Sequence, residues 1–187
     1  MSNNELIRFQ RLLANHTAPS LLGIKPSSLV SLNSKDFDIK EHIKIFNDRA
    51  MVKGLKIKIL CKCKDRVLIL LYNESILNKQ VSNNRYWLDS FGYKGLNLEE
   101  CLNRLGSRLV EFEEFPHEIG IFLGYPIEDV IGFIQNKGKN YKLCGYWKVY
   151  GDECKAKCTF ENYDKCRKYL CNRLNQGVNI YQALKIA

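Results

Sequence analysis

His117 and Glu118 stand side by side at a predicted helix start, and Cys144, Tyr146, Lys148 and Tyr150 alternate along a predicted strand further on. Tyr125 lies between the two groups, in a Gly-Tyr-Pro corner. Imidazole, carboxylate, thiol, phenol and ammonium are the groups that carry acid–base or nucleophilic chemistry, or that ligate a metal or haem iron. Adjacent residues of a helix point about 100° apart, so His117 and Glu118 cannot both face one atom on a regular helix. Two readings therefore stand. In one, Glu118 completes the helix cap and His117 bonds to the following loop; in the other, His117 works beside Cys144. The His-Glu-x-x-His zinc motif is excluded, because the residues after Glu118, through Phe122, supply no second histidine. The chain holds only His16, His42 and His117.

The remaining candidates are cysteines and lysines. On a predicted helix from Asp152 to Leu174, residues Ala156, Phe160, Tyr163, Leu170 and Leu174 define a buried stripe. Cys166 and Cys171 flank that stripe, while Cys154 and Cys158 point to the opposite, solvated side. One tetrahedral zinc cannot be shared by all four. Cys154 and Cys158 remain a weak candidate for two metal ligands or an exposed redox pair, against plain surface thiols. On a predicted strand, Ile57, Ile59, Cys61 and Cys63 take one face and Lys56, Lys58, Lys62 and Lys64 the other, broken only by Leu60. Such a lysine face either protects an edge strand from pairing or binds an anion. Between Lys137 and Arg173 ten basic residues face four acidic ones, with Tyr141, Tyr146, Trp147 and Tyr150 interleaved. That pattern suits a nucleic-acid backbone or an acidic protein, but lysine outweighs arginine and no nucleic-acid motif appears, so nucleic acid is not favoured.

These groups must be positioned by a chain of 187 residues with net charge +9, of which 45% are hydrophobic and 26% charged. The composition is globular and suits one domain. No apolar run approaches the ~18–20 residues that span a bilayer. The first residues form an amphipathic helix and not a signal peptide, so a cytoplasmic protein with reduced thiols and no membrane attachment is expected. The periodicity predicts helices over Glu5–Leu13, Asp38–Met51 and Asn97–Val110, with two short helical pieces between Asn73 and Tyr93. It predicts a loop over His16–Pro26, a strand over Ser28–Leu32 and a hairpin from Lys56 to Tyr72. Pro116 and Pro126 each start a short helix, closed by Gly124 and Gly138. The mid-helix Gly120 and Gly132 permit close approach of a backbone or a ligand, or serve two helix crossings. Asn140–Tyr150 is expected to add a strand to the hairpin's sheet.

The run Phe-Pro-His-Glu-Ile-Gly-Ile-Phe-Leu-Gly-Tyr-Pro-Ile-Glu-Asp-Val-Ile-Gly-Phe-Ile, followed by Cys144–Tyr150 and Tyr163–Arg167, resembles a family of uncharacterised clostridial proteins. The loop Ala18–Pro26 resembles the same family's N-terminal segment. The family is a domain of unknown function, series number 3793. The resemblance implies an origin in anaerobic Firmicutes and a cytoplasmic setting. It implies no activity. Cys154 and Cys158 lie outside the shared motif, which lowers their weight.

The sequence thus predicts one α+β domain over residues 1–187, with a small, mainly antiparallel sheet (hairpin 56–72 plus strand 141–150) covered by helices. The favoured function is binding of an anionic small ligand or cofactor, redox- or metal-linked chemistry included. The residues expected around it are His117, Glu118, Tyr125, Cys144, Tyr146, Lys148 and Tyr150. The alternative is a non-catalytic adaptor whose basic face binds nucleic acid or an acidic protein; a covalent cysteine enzyme built on Cys144 is a third. The sequence names no cofactor and leaves open whether the protein is an enzyme.

Overall fold

An alternating arm from Leu55 to Cys63, a turn, and an apolar arm from Val67 to Tyr72 demand a two-stranded ribbon, and it is the middle of the structure. The computed structural model describes residues 2–111 and 115–186. Strand β1 (Ser27–Asn33), β2 (Leu55–Cys63) and β3 (Arg66–Asn73) form one antiparallel sheet in the order β1-β3-β2. The central strand β3 is apolar on both faces because both are covered. Val67, Ile69 and Leu71 enter one core, and Leu70 and Tyr72 the other. Helices α1 (Asn3–Leu21), α2 (Ile39–Ala50) and α9 (Ile180–Ala183) close the first core, together with α8 (Glu153–Asn175), which lies along α1. The second core lies under α3 (Glu74–Asn83), α4 (Arg85–Leu88), α5 (Leu98–Glu111), α6 (Ile119–Phe122) and α7 (Ile127–Gln135). This is the α+β domain expected from the sequence. Among the described residues no helix is long and apolar enough to cross a membrane.

Three expectations need correction. Helix α1 does not stop near Leu13 but runs through Pro19 to Leu21. Thr17, Ala18, Pro19, Ser20 and Leu21 are all buried, so tertiary burial outweighs the hydrogen bond that proline removes. The helix ends at Gly23, whose φ of +73° suits glycine, and the backbone N–H groups of Ile24 and Lys25 both donate to Pro19 O.

The second correction is in β2. A β-bulge between Ile59 and Cys61 shifts the register, pairing Ile59 with Ile69 but Cys61 with Leu68. The alternation therefore flips at Leu60. Cys61 and Cys63 share the face of Lys56 and Lys58, and Lys62 crosses to the face of Ile57 and Ile59. The lysines do not form one four-membered face. Lys56 also pairs with Glu74 at 2.7 Å, and Lys58 with Glu99. Gly106 of α5 packs on this bulge: a Cβ there would lie 2.5 Å from the Leu60 carbonyl oxygen. Helix propensity alone would make Gly106→Ala stabilising by roughly 1 kcal/mol, whereas overpacking costs about 1–3 kcal/mol. The contact is with backbone, which cannot swing away, so a net loss of about 1–2 kcal/mol is expected in urea denaturation. A more stable variant would contradict the close packing.

The third correction concerns residues 140–150. They do not join the main sheet. They form a separate hairpin, β4 (Leu143–Cys144) and β5 (Lys148–Val149), which turns back at Gly145-Tyr146-Trp147. Trp147, Val149, Ala156 and Tyr163 make a small third core between this hairpin and α8.

Candidate functional site

The one-turn helix α6 and the longer α7 meet at the Gly124-Tyr125-Pro126 corner, and the β4–β5 hairpin lies against α7. Asp129 fastens the hairpin. This carboxylate is only 3% exposed. It accepts hydrogen bonds from Trp147 Nε1 at 2.6 Å, Tyr150 N at 2.6 Å and Gly151 N at 2.8 Å. Gly132, one turn further along α7, leaves room for the Tyr150 ring, whose Cγ would lie 2.5 Å from a Cβ. The mid-helix glycine thus serves a side chain of this hairpin. Gly120 is shaped likewise by Val130 and Tyr125.

Between α6, α7 and the hairpin is a cavity of about 290 Å³. Ile119, Val130, Phe133, Phe115 and Trp147 make most of its wall, and His117, Tyr125, Asp129, Cys144 and Lys148 supply its polar groups. Cys144 and Lys148 are cross-strand neighbours in the hairpin. The Lys148 ammonium donates to Gly138 O at 2.7 Å and lies 4.9 Å from the Tyr141 ring and 5.7 Å from that of Phe133. Among the described residues no carboxylate pairs with it. The His117 ring meets the Phe133 ring edge-on at 4.9 Å. Tyr125 stacks on Trp147 at 4.9 Å, and its phenol, pushed up to about 12 by burial, donates to Tyr146 O at 3.3 Å. Behind Tyr125 is Lys25, 7% exposed, with its ammonium 5.3 Å from the Tyr125 ring and 5.8 Å from that of Tyr163.

Of the residues expected from the sequence, His117, Tyr125, Cys144 and Lys148 line this one cavity. The other three do not. Glu118 is buried, where it pairs with Arg108 and accepts from Tyr93 OH at 3.1 Å, so it ties the turn before α6 to α5. The Tyr146 hydroxyl donates to Asp164 on α8 at 2.8 Å; burial and that contact push its phenol up to about 12. The Tyr150 hydroxyl donates to Lys139 O at 3.0 Å. Trp147, Asp129, Phe133 and Phe115 were missed. A signal for Asp129 existed: a buried Trp147 needs an acceptor for its indole N–H.

All eight cysteines are unpaired, and Cys154 and Cys158 are exposed on α8. Among the described residues no three His, Cys, Asp or Glu side chains gather in a way that could hold a metal ion. The arrangement is an apolar, half-open cavity with one ammonium that no carboxylate pairs among the described residues.

A family model described as "Protein of unknown function (DUF3793)" matches residues 13–184. No curated protein and no solved structure matches the chain.

Proposed function

The chain belongs to this family of proteins of unknown function, and for it we propose the binding of a small, planar, largely apolar anion in the cavity between α6, α7 and the β4–β5 hairpin. One observation carries the reading. His117 and, from a hairpin later in the chain, Cys144 and Lys148 converge on a single apolar cavity in which Lys148 has no carboxylate partner among the described residues. Ligand sites are built this way, with apolar walls and a few placed polar groups. At about 290 Å³ the cavity falls at the small end of the usual roughly 300–1,000 Å³. A ligand of one or two fused rings fits, its ring plane against Phe133 and Trp147 and its anionic group toward Lys148 and His117. Cys144 stands beside that group and would be the first side chain to meet an electrophilic ligand.

Naphthalene-2-sulfonate, a fluorescent, planar, two-ring anion, is a direct probe. The native protein is expected to bind it saturably, and Lys148→Gln to weaken binding about tenfold, as loss of one charge-assisted contact would. Unchanged affinity in Lys148→Gln, or no saturable binding by native protein, would reject the anion site.

A further inference from the structure

A second cavity, of about 320 Å³, shares Tyr125, Asp129 and Trp147 with the first but is otherwise lined by different residues. Its character is opposite. Gln80 donates its side-chain N–H to Ile121 O at 3.2 Å, and Asn84 donates its own to Gln80 O at 2.9 Å. Backbone carbonyls only accept, so these contacts fix both amides with nitrogen on the backbone. Gln80 Oε1 and Asn84 Oδ1 are left without a donor among the described residues. Glu128 adds a carboxylate with no cation paired to it among those residues, and Asp152 adds another, of which one oxygen caps α8 through Lys155 N at 3.0 Å. The Asp129 carboxylate already accepts three hydrogen bonds from the hairpin. Lys155, an exposed side chain, is the single cationic member of the lining.

We propose that this cavity binds an organic ammonium ion, a primary amine carried on a small apolar or aromatic body. The amide oxygens and carboxylates accept from the ammonium N–H groups, and the wall shared by Tyr125 and Trp147 takes the body and adds cation–π attraction. An anionic ligand would face Glu128 and Asp152. A neutral apolar one would leave the half-buried Gln80 and Asn84 amide oxygens without a donor, which opposes its binding, while the exposed Glu128 and Asp152 carboxylates keep their water. The chain carries net charge +9, so an acceptor-rich cavity is set against the field of the whole molecule. A cation held there gains from local contacts, not from long-range steering, and the site stands whether or not the first cavity takes an anion.

Benzylamine tests it, with benzyl alcohol as the uncharged match. The chain has two tryptophans, so Trp87→Phe leaves Trp147, which lines the cavity, as the sole indole reporter. Benzylamine is expected to change Trp147 emission saturably, and benzyl alcohol to bind at least about tenfold more weakly. The double variant Glu128→Gln/Asp152→Asn keeps a polar cap on α8 and is expected to lose about tenfold in benzylamine affinity. Lys148→Gln, in the first cavity, should leave it unchanged. Equal binding of amine and alcohol, indifference to the double variant, or tighter binding in Lys148→Gln would each overturn the proposal. The last result would place the amine in the other cavity, where loss of a like charge favours it.

Discussion

Asp129→Ala is expected to lower the stability of the protein by about 4 kcal/mol and to abolish naphthalene-2-sulfonate binding in the first cavity. A hydrogen bond to a charged acceptor contributes roughly 1.5–3 kcal/mol, and Asp129 accepts three, from Trp147 Nε1, Tyr150 N and Gly151 N. The contributions overlap, since all three donors sit in one hairpin, so the total falls below their sum. The loss is large because β4 and β5 have two residues each and contribute little pairing of their own. Without Asp129 the indole N–H of a largely buried Trp147 has no acceptor, and Trp147 and Lys148 lose the frame that holds them at the cavity. Asp129→Asn is no rescue. An amide offers one acceptor oxygen, and its NH₂ group would confront either the indole N–H or the two backbone N–H groups. A loss of at least about 2 kcal/mol is expected for it in chemical denaturation. If Asp129→Asn unfolds within 0.5 kcal/mol of the native protein, an ordinary surface-substitution value, the carboxylate does not fasten the hairpin.

The second large effect has the opposite sign. Lys25→Met is expected to make the protein more stable by up to about 3 kcal/mol at neutral pH, an advantage that disappears as pH rises toward 10.5. Burial moves the Lys25 ammonium from its ordinary 10.5 down to about 8. Below pH 8 both folded and unfolded chains carry the proton, and the folded state bears the whole cost of burying the charge. Between 8 and 10.5 the folded chain has released the proton while the unfolded chain still holds it, so this group's contribution to stability rises with pH. The interval corresponds to about 3 kcal/mol, less the ~0.5–1 kcal/mol that the Tyr125 and Tyr163 rings return through cation–π contact. Other groups act against this trend in the native protein. Burial pushes the Cys61, Cys101 and Cys166 thiols up, and the Tyr72, Tyr125 and Tyr163 phenols up to about 12. Their unfolded forms ionise first on the alkaline side, so stability falls there. Urea denaturation of native protein and Lys25→Met, compared at several pH values from 7 to 10, cancels these terms. A difference that does not change with pH would show that Lys25 is not the source.

Much of the fold was legible because it depends on short-range periodicity. The period-two run from Lys56 to Lys64, a turn, and the apolar run Val67–Tyr72 force a hairpin, and the five apolar positions of Leu98, Cys101, Leu102, Leu105 and Leu109 force an amphipathic helix against it. Apolar residues on both faces of Val67–Tyr72 required a strand covered on two sides, which β3 is. The bulge at Leu60 was not legible. It is a choice of pairing register with β3, and one extra residue on β2 moves Cys61, Lys62 and Cys63 to faces that simple alternation assigns the other way. The extension of α1 past Pro19 likewise depends on what buries Thr17 to Leu21, and local propensity does not hold that information.

The two segments that the sequence by itself singled out do line one cavity, because histidine, cysteine and lysine among apolar and glycine residues are costly unless they are placed. The sequence read Asn140–Tyr150 as one strand with two faces, so it set Cys144 and Lys148 opposite Trp147. Only the tertiary structure folds that segment back on itself and brings all three to one cavity with His117. The physical reason is a single long-range interaction. The Asp129 carboxylate, buried in α7, has to be satisfied, and the donors that satisfy it belong to a hairpin about twenty residues later in the chain. A sequence shows which groups must find partners. Which partners they find is decided by the packing of elements that are distant in the chain.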